Sequence, residues 1–132
     1  MIRYAFVDAA GYVTGAGSGP KLRDGAVELP EGVTPMASIG MRLVDGVFVP
    51  RPDLPDPVIS QAEGQGLTIS FADLPPSTVA EIIDAEIGVS LGFEPEANGL
   101  IQIELPDPGR YEIILTPPRP YLPRSLNVEV NP

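Results

Sequence analysis

The sequence predicts an all-β protein in two parts. A small N-terminal antiparallel β-hairpin or meander domain spans residues 1–50, a β-sandwich spans residues 58–132, and a proline-rich linker at 51–57 joins them. Three observations carry this. Apolar and polar residues alternate at period two in several segments. Tight-turn residues separate those segments. Pro50, Pro52, Pro55 and Pro57 interrupt the chain where neither a helix nor a paired strand continues easily.

The first strands are Tyr4-Ala5-Phe6-Val7 and Gly11-Tyr12-Val13-Thr14, flanking Asp8-Ala9-Ala10-Gly11, with Asp and Gly at the first and last positions of a type I turn. Residues 15–25, opening with Gly15-Ala16-Gly17-Ser18-Gly19-Pro20, read as a flexible loop. Ala26-Val27-Glu28-Leu29 alternates and stops at Pro30-Glu31-Gly32. Arg42-Leu43-Val44 and Val47-Phe48-Val49 enclose Asp45-Gly46, the two-residue loop whose left-handed backbone matches strand twist. This pair is the strongest local signal in the chain.

In the second part, Leu67/Ile69/Phe71, Ile101/Ile103/Leu105, Tyr111/Ile113/Leu115 and Leu126/Val128/Val130 each place apolar groups on one strand face. Amphipathic strands of this kind imply antiparallel sheets over one core. Ser77 to Leu91 carries two patterns. Thr78 with Glu81 resembles a helix capping box, and Val79, Ile82, Ile83 and Ile87 fit a helical stripe. The β-branched content and the need of a four-strand sandwich for further strands favour strands.

Composition supports a folded core and removes most chemistry. Fourteen glycines and seventeen prolines approach the share at which disorder sets in, but Leu, Ile, Val and Phe number 39 of 132 residues. That is well above the level of roughly 20% below which burial fails to offset chain entropy. Without Cys or His, thiolate nucleophiles, disulfides, the usual zinc sites and Ser-His or Cys-His catalysis are excluded. A net charge of −10 argues against nucleic acid and against an anionic membrane surface, since both draw affinity from Lys and Arg. The charge is uneven: residues 1–50 carry five acids and four bases, residues 51–132 carry thirteen and four, and no base lies between Arg51 and Arg110. Asp8 interrupts the opening apolar run, and no stretch approaches the roughly 20 residues of a membrane span. The expectation is synthesis in the cytoplasm without a signal peptide.

Asp107-Pro108-Gly109-Arg110-Tyr111-Glu112-Ile113 resembles the tyrosine corner of immunoglobulin-like sandwiches, in which a Tyr opening a late strand hydrogen-bonds back to upstream backbone. This resemblance makes Asp107, Gly109 and Tyr111 structural residues and the second part immunoglobulin-like. Further short motifs follow in order: the Tyr4-Ala5-Phe6-Val7-Asp8 hairpin, Leu29-Pro30-Glu31-Gly32, Asp45-Gly46-Val47-Phe48-Val49-Pro50-Arg51-Pro52, Pro108-Gly109-Arg110-Tyr111 and Pro120-Tyr121-Leu122-Pro123. Together they resemble small tail proteins of proteobacterial phages and prophages. The resemblance covers most of the chain through short, degenerate motifs. It implies a tail-fibre-associated structural protein with an immunoglobulin-like C-terminal domain, incorporated in a phage particle and without enzymatic activity. Other tail or fibre proteins, or further copies of the chain, are the implied partners. One departure is that the last strand, Leu126-Asn127-Val128-Glu129-Val130, carries no aromatic residue.

Each candidate site also has a plainer structural role. Glu94-Pro95-Glu96-Ala97-Asn98-Gly99 gathers oxygen ligands near a turn, but without calcium-loop spacing it reads as a solvated acidic loop. Paired carboxylates suit a glycosidase, yet there is no Trp to stack a sugar. Gly15-Ala16-Gly17-Ser18-Gly19 with Lys21 has no helix pattern after it, so no phosphate loop is expected. Pro117-Pro118-Arg119-Pro120-Tyr121-Leu122-Pro123 reads as a rigid crossing between the last two strands, with Tyr121 tucked under the sandwich end, in preference to a polyproline ligand. No catalytic, metal or cofactor residue is assigned. Met36, Ile39 and Met41, with Tyr121, are the candidate interaction surface, against the alternative that the first three complete a small core. Two further function classes stay open beside the tail component: a module recognising a cell-surface polysaccharide or protein, and a tail-fibre assembly factor.

Overall fold

The computed structural model describes residues 1–61 and 66–132. The chain divides into two compact units, Met1–Arg51 and Pro52–Pro132, and its strands pair in antiparallel sheets throughout. Among the described residues the protein is all-β apart from one helical turn.

In the first unit, β1 (Ile2–Val7) pairs on one side with β2 (Val13–Gly19) and on the other with β3 (Ala26–Glu28). Asp8 organises the β1–β2 turn: its carboxylate accepts from the backbone N–H groups of Ala10 and Tyr12 at 3.0 and 2.9 Å. Strand β2 runs on to Gly19, so residues 15–19 are strand where a flexible loop was expected. Gly17 pairs with Tyr4, and a Cβ at Gly17 would stand 3.1 Å from the Tyr4 hydroxyl oxygen. The aromatic ring fills the space the glycine leaves, which is how a strand nearly without side chains holds its place. The single helical turn, α1 (Pro35–Ser38), was not foreseen. Thr34 caps it by accepting from the Ala37 N–H at 3.1 Å, and Pro35 at its start has no N–H left unsatisfied. Strands β4 (Met41–Val44) and β5 (Val47–Pro50) form the expected hairpin, with Asp45 and Gly46 at φ 49° and 80°. Tyr12 is buried with the guanidinium carbons of Arg42 and Arg51 at 4.8 and 5.2 Å from its ring centroid.

The second unit has seven strands among the described residues. One sheet is ordered β10 (Ile101–Leu105), β7 (Leu67–Phe71), β6 (Val58–Gln61). The other is ordered β12 (Arg124–Val130), β11 (Gly109–Thr116), β8 (Val79–Asp84), β9 (Val89–Pro95). Period-two alternation carries the packing. Leu67, Ile69 and Phe71 of β7, Ile101, Ile103 and Leu105 of β10, and Tyr111, Ile113 and Leu115 of β11 form one buried cluster drawn from both sheets. Ile69 and Ile113 have no exposed area, and burying such a side chain contributes about 1.5–3 kcal/mol. Ser77 to Leu91 forms β8 and the start of β9, not a helix. Thr78 donates its hydroxyl to the Pro75 carbonyl at 2.7 Å and caps no helix.

The segment read as a linker contributes to the second unit. Leu54 is 4% exposed and joins the core. The Leu122 N–H donates to the Pro52 carbonyl at 3.0 Å, and Arg124 meets the Asp56 carboxylate at 2.7 Å.

Candidate functional site

The hydroxyl of Tyr111 turns back onto upstream backbone. The Tyr111 hydroxyl donates to the Asp107 carbonyl at 2.9 Å, across a turn in which Gly109 takes φ 151°, a conformation that disfavours residues with a Cβ. Tyr111 itself is buried in the core. Its phenol pKa is raised above the ordinary value, first by burial and then by the carboxylates of Asp107, Asp84 and Glu86. Its hydroxyl tethers the start of β11 to the turn before it.

The four surface candidates divide between the units. Met36 and Ile39, on and just after α1, are 81% and 51% exposed, whereas Met41 is half-buried in β4. Tyr121 belongs to the second unit, where it packs half-buried against the core. The structure thus gathers Met36 and Ile39 on one exposed turn and does not join Tyr121 to them within a unit.

The acidic loop has a structural use. The Glu96 carboxylate accepts from the Gly99 N–H at 2.9 Å and the Ser77 N–H at 3.0 Å. These bonds, the one from Gly99 leading, hold its pKa below the ordinary carboxylate value. They fasten the turn after β9 to the turn before β8. Among the described residues, no group of three or more acidic side chains is arranged to hold a metal ion.

The surface that sequence reasoning missed lies along β9. This strand ends its sheet, and Val89, Leu91 and Phe93 on it are 50%, 55% and 66% exposed. Pairing with β8 shifts register between Ile82 and Ile83, leaving Leu91 as an extra residue before Gly92, which sits at φ 145°. Strand β10 ends the other sheet. Beside the two free edges is a groove of about 280 Å³, whose lining includes Ile82, Leu91 and Ile103 with the acidic residues Glu94, Glu104 and Asp107. The one sequence signal for it was negative: β9 lies inside the base-free stretch between Arg51 and Arg110.

No family model matches this chain, and neither the curated proteins nor the solved structures contain a match to it.

Proposed function

We propose that this chain is a non-enzymatic structural component of a phage or prophage tail, associated with the tail fibre, and that its second unit is an immunoglobulin-like sandwich. The observation that carries the functional part is the open β9 edge, on which Val89, Leu91 and Phe93 are each at least half exposed. Exposed apolar surface at a strand edge is a feature of proteins that work by contact with others. The immunoglobulin-like assignment is supported by seven strands among the described residues, divided three and four between two antiparallel sheets, and by the tyrosine tether at the start of the sixth, β11. The tail assignment draws on the sequence motifs from Tyr4-Ala5-Phe6-Val7-Asp8 to Pro120-Tyr121-Leu122-Pro123.

Immunogold labelling with antibody to the chain, on particles released by the producing bacterium and on gradient-separated assembly intermediates, tests this reading. Label on finished tails is the expected result. Label confined to intermediates replaces the structural component with an assembly factor. Label on neither overturns the tail reading, and binding of the chain to the bacterial surface would then identify a recognition module.

A further inference from the structure

We propose that the open side of the second unit, between the free edges of β9 and β10, takes one extended segment of a partner protein whose side chains alternate between apolar and basic. The inference rests on the reading of this chain as one that works by contact, and deepens it by naming the chemistry of the occupant.

Three observations converge on that side. The first is backbone: β9 and β10 each end a sheet, so each presents donors and acceptors that an added extended chain can use. The second is apolar surface. Leu91 is more than half exposed beside Ile82 and Ile103 at the groove; Val89, paired with Asp84, shares that face of β9, whereas Phe93, paired with Glu81 beyond the register shift, lies on the other face. A strand laid here points every second side chain towards the groove, which matches a period-two pattern in the occupant. The third is charge. Glu94, Glu104 and Asp107 line the groove, and no basic residue occurs from Pro52 to Gly109. Glu104 alternates with the buried Ile103 and Leu105 and so lies on the outer face of β10, where the remaining side chains of an occupant paired with β10 meet it, and Lys or Arg is the complement.

The same charge selects against a second copy of this chain as the occupant. Two copies of an acidic unit meeting along this side would bring Glu94 and Glu104 of each towards those of the other, at a cost in like-charge repulsion. The segment that would pair with it in such a dimer, Val89-Ser90-Leu91-Gly92-Phe93-Glu94, contains no base. The favoured partner is a different chain, entering as a cationic strand.

The test uses the full chain and two fluorescent peptides of nine residues, one alternating Lys with Val and the other alternating Glu with Val. Binding is followed by anisotropy, and the site is mapped from amide chemical shifts. The Lys peptide is expected to bind, to weaken steeply with added salt, and to shift amides of β9 and β10. The Glu peptide is expected not to bind. The double variant Glu94→Lys with Glu104→Lys, both exposed in the structure, is expected to lose at least tenfold in affinity while the amides of Ile69 and Ile113 keep their positions. Leu91→Ser supplies an independent check on the apolar contact and is expected to weaken the same peptide. Equal binding of the two peptides, no binding of the Lys peptide at millimolar concentration, or shifts confined to β6 or β12 would overturn the proposal. So would a dimer of the chain that Leu91→Ser dissolves, because the occupant would then be a second copy. None of these results bears on immunogold labelling of tails, so the two readings fail separately.

Discussion

Replacing Tyr111 with Phe removes one oxygen and keeps the ring, which isolates the tether at the start of β11. The lost bond is the 2.9 Å donation to the Asp107 carbonyl. A hydrogen bond of this kind contributes about 0.5–1.5 kcal/mol net, and the carbonyl left behind loses its protein partner. The expected loss for Tyr111→Phe at neutral pH is therefore about 1 kcal/mol. With a urea dependence of about 1–2 kcal/mol per molar, typical of small proteins, the midpoint falls by roughly 0.5–1 M. Because the chain has two units, unfolding is best followed at the amide of Ile113, which reports on the second unit alone. The pH dependence supplies a second readout. Burial, then the nearby carboxylates, raises the phenol pKa above its ordinary value of 10.0. Stability from the neutral hydroxyl is therefore complete below that value and lost as pH rises through the higher folded one. The variant has no such group, so the gap between the two proteins narrows in alkali. A midpoint unchanged at neutral pH, or a gap that stays constant through alkaline pH, would refute the tether.

Two further substitutions test other joints. Gly11→Ala places a Cβ against the Leu43 carbonyl at a backbone φ of 91°, and the left-handed conformation alone costs about 1–2 kcal/mol; the expected result is loss of hydrogen-exchange protection at the Leu43 amide, which now donates to the Gly11 carbonyl at 2.8 Å, and retained protection would count against it. Glu96→Gln removes a carboxylate whose pKa lies below its ordinary 4.5 through bonds from Gly99 and Ser77. Its contribution is present above the ordinary value and fades as pH falls through the depressed one, so the stability profile of the variant should be flatter than that of the parent in acid, and parallel profiles would exclude the role.

Where side chains decide the structure, the sequence was informative. The four alternating segments around Ile69, Ile103, Ile113 and Val128 became β7, β10, β11 and β12, because period-two burial is a direct consequence of the pleat. Asp45-Gly46 announced its hairpin because few residue pairs accept two positive φ values. Segments held by their neighbours were harder to see. Strand β2 from Gly15 to Gly19 has almost no side chains of its own and depends on rings such as Tyr4 across the sheet. Strand β6 is four exposed residues whose position is set by pairing with β7. Thr34-Pro35 is a legible cap, but α1 is only four residues long, too short for a helical stripe to show around Met36. The β9 surface was illegible for a different reason. The extra residue at Leu91 reverses the alternation, so Phe93 lies beside Glu81 on the face away from the core whereas Phe71 is buried, and such a bulge leaves the period-two pattern of the sequence unchanged.

The extra residue in β9 also bears on what happens when many copies are concentrated together. Open apolar strand edges are the usual starting points for fibril growth, which needs long, regular, mutually matching ladders. At β9 the spacing of the backbone groups is broken at Leu91, and Pro95, which has no N–H to donate, closes the strand. A visiting strand therefore finds only short regular pieces to pair with, and the acidic surroundings keep identical chains from supplying it. The irregularity turns an edge that would otherwise invite polymerisation into one suited to a single, short visitor.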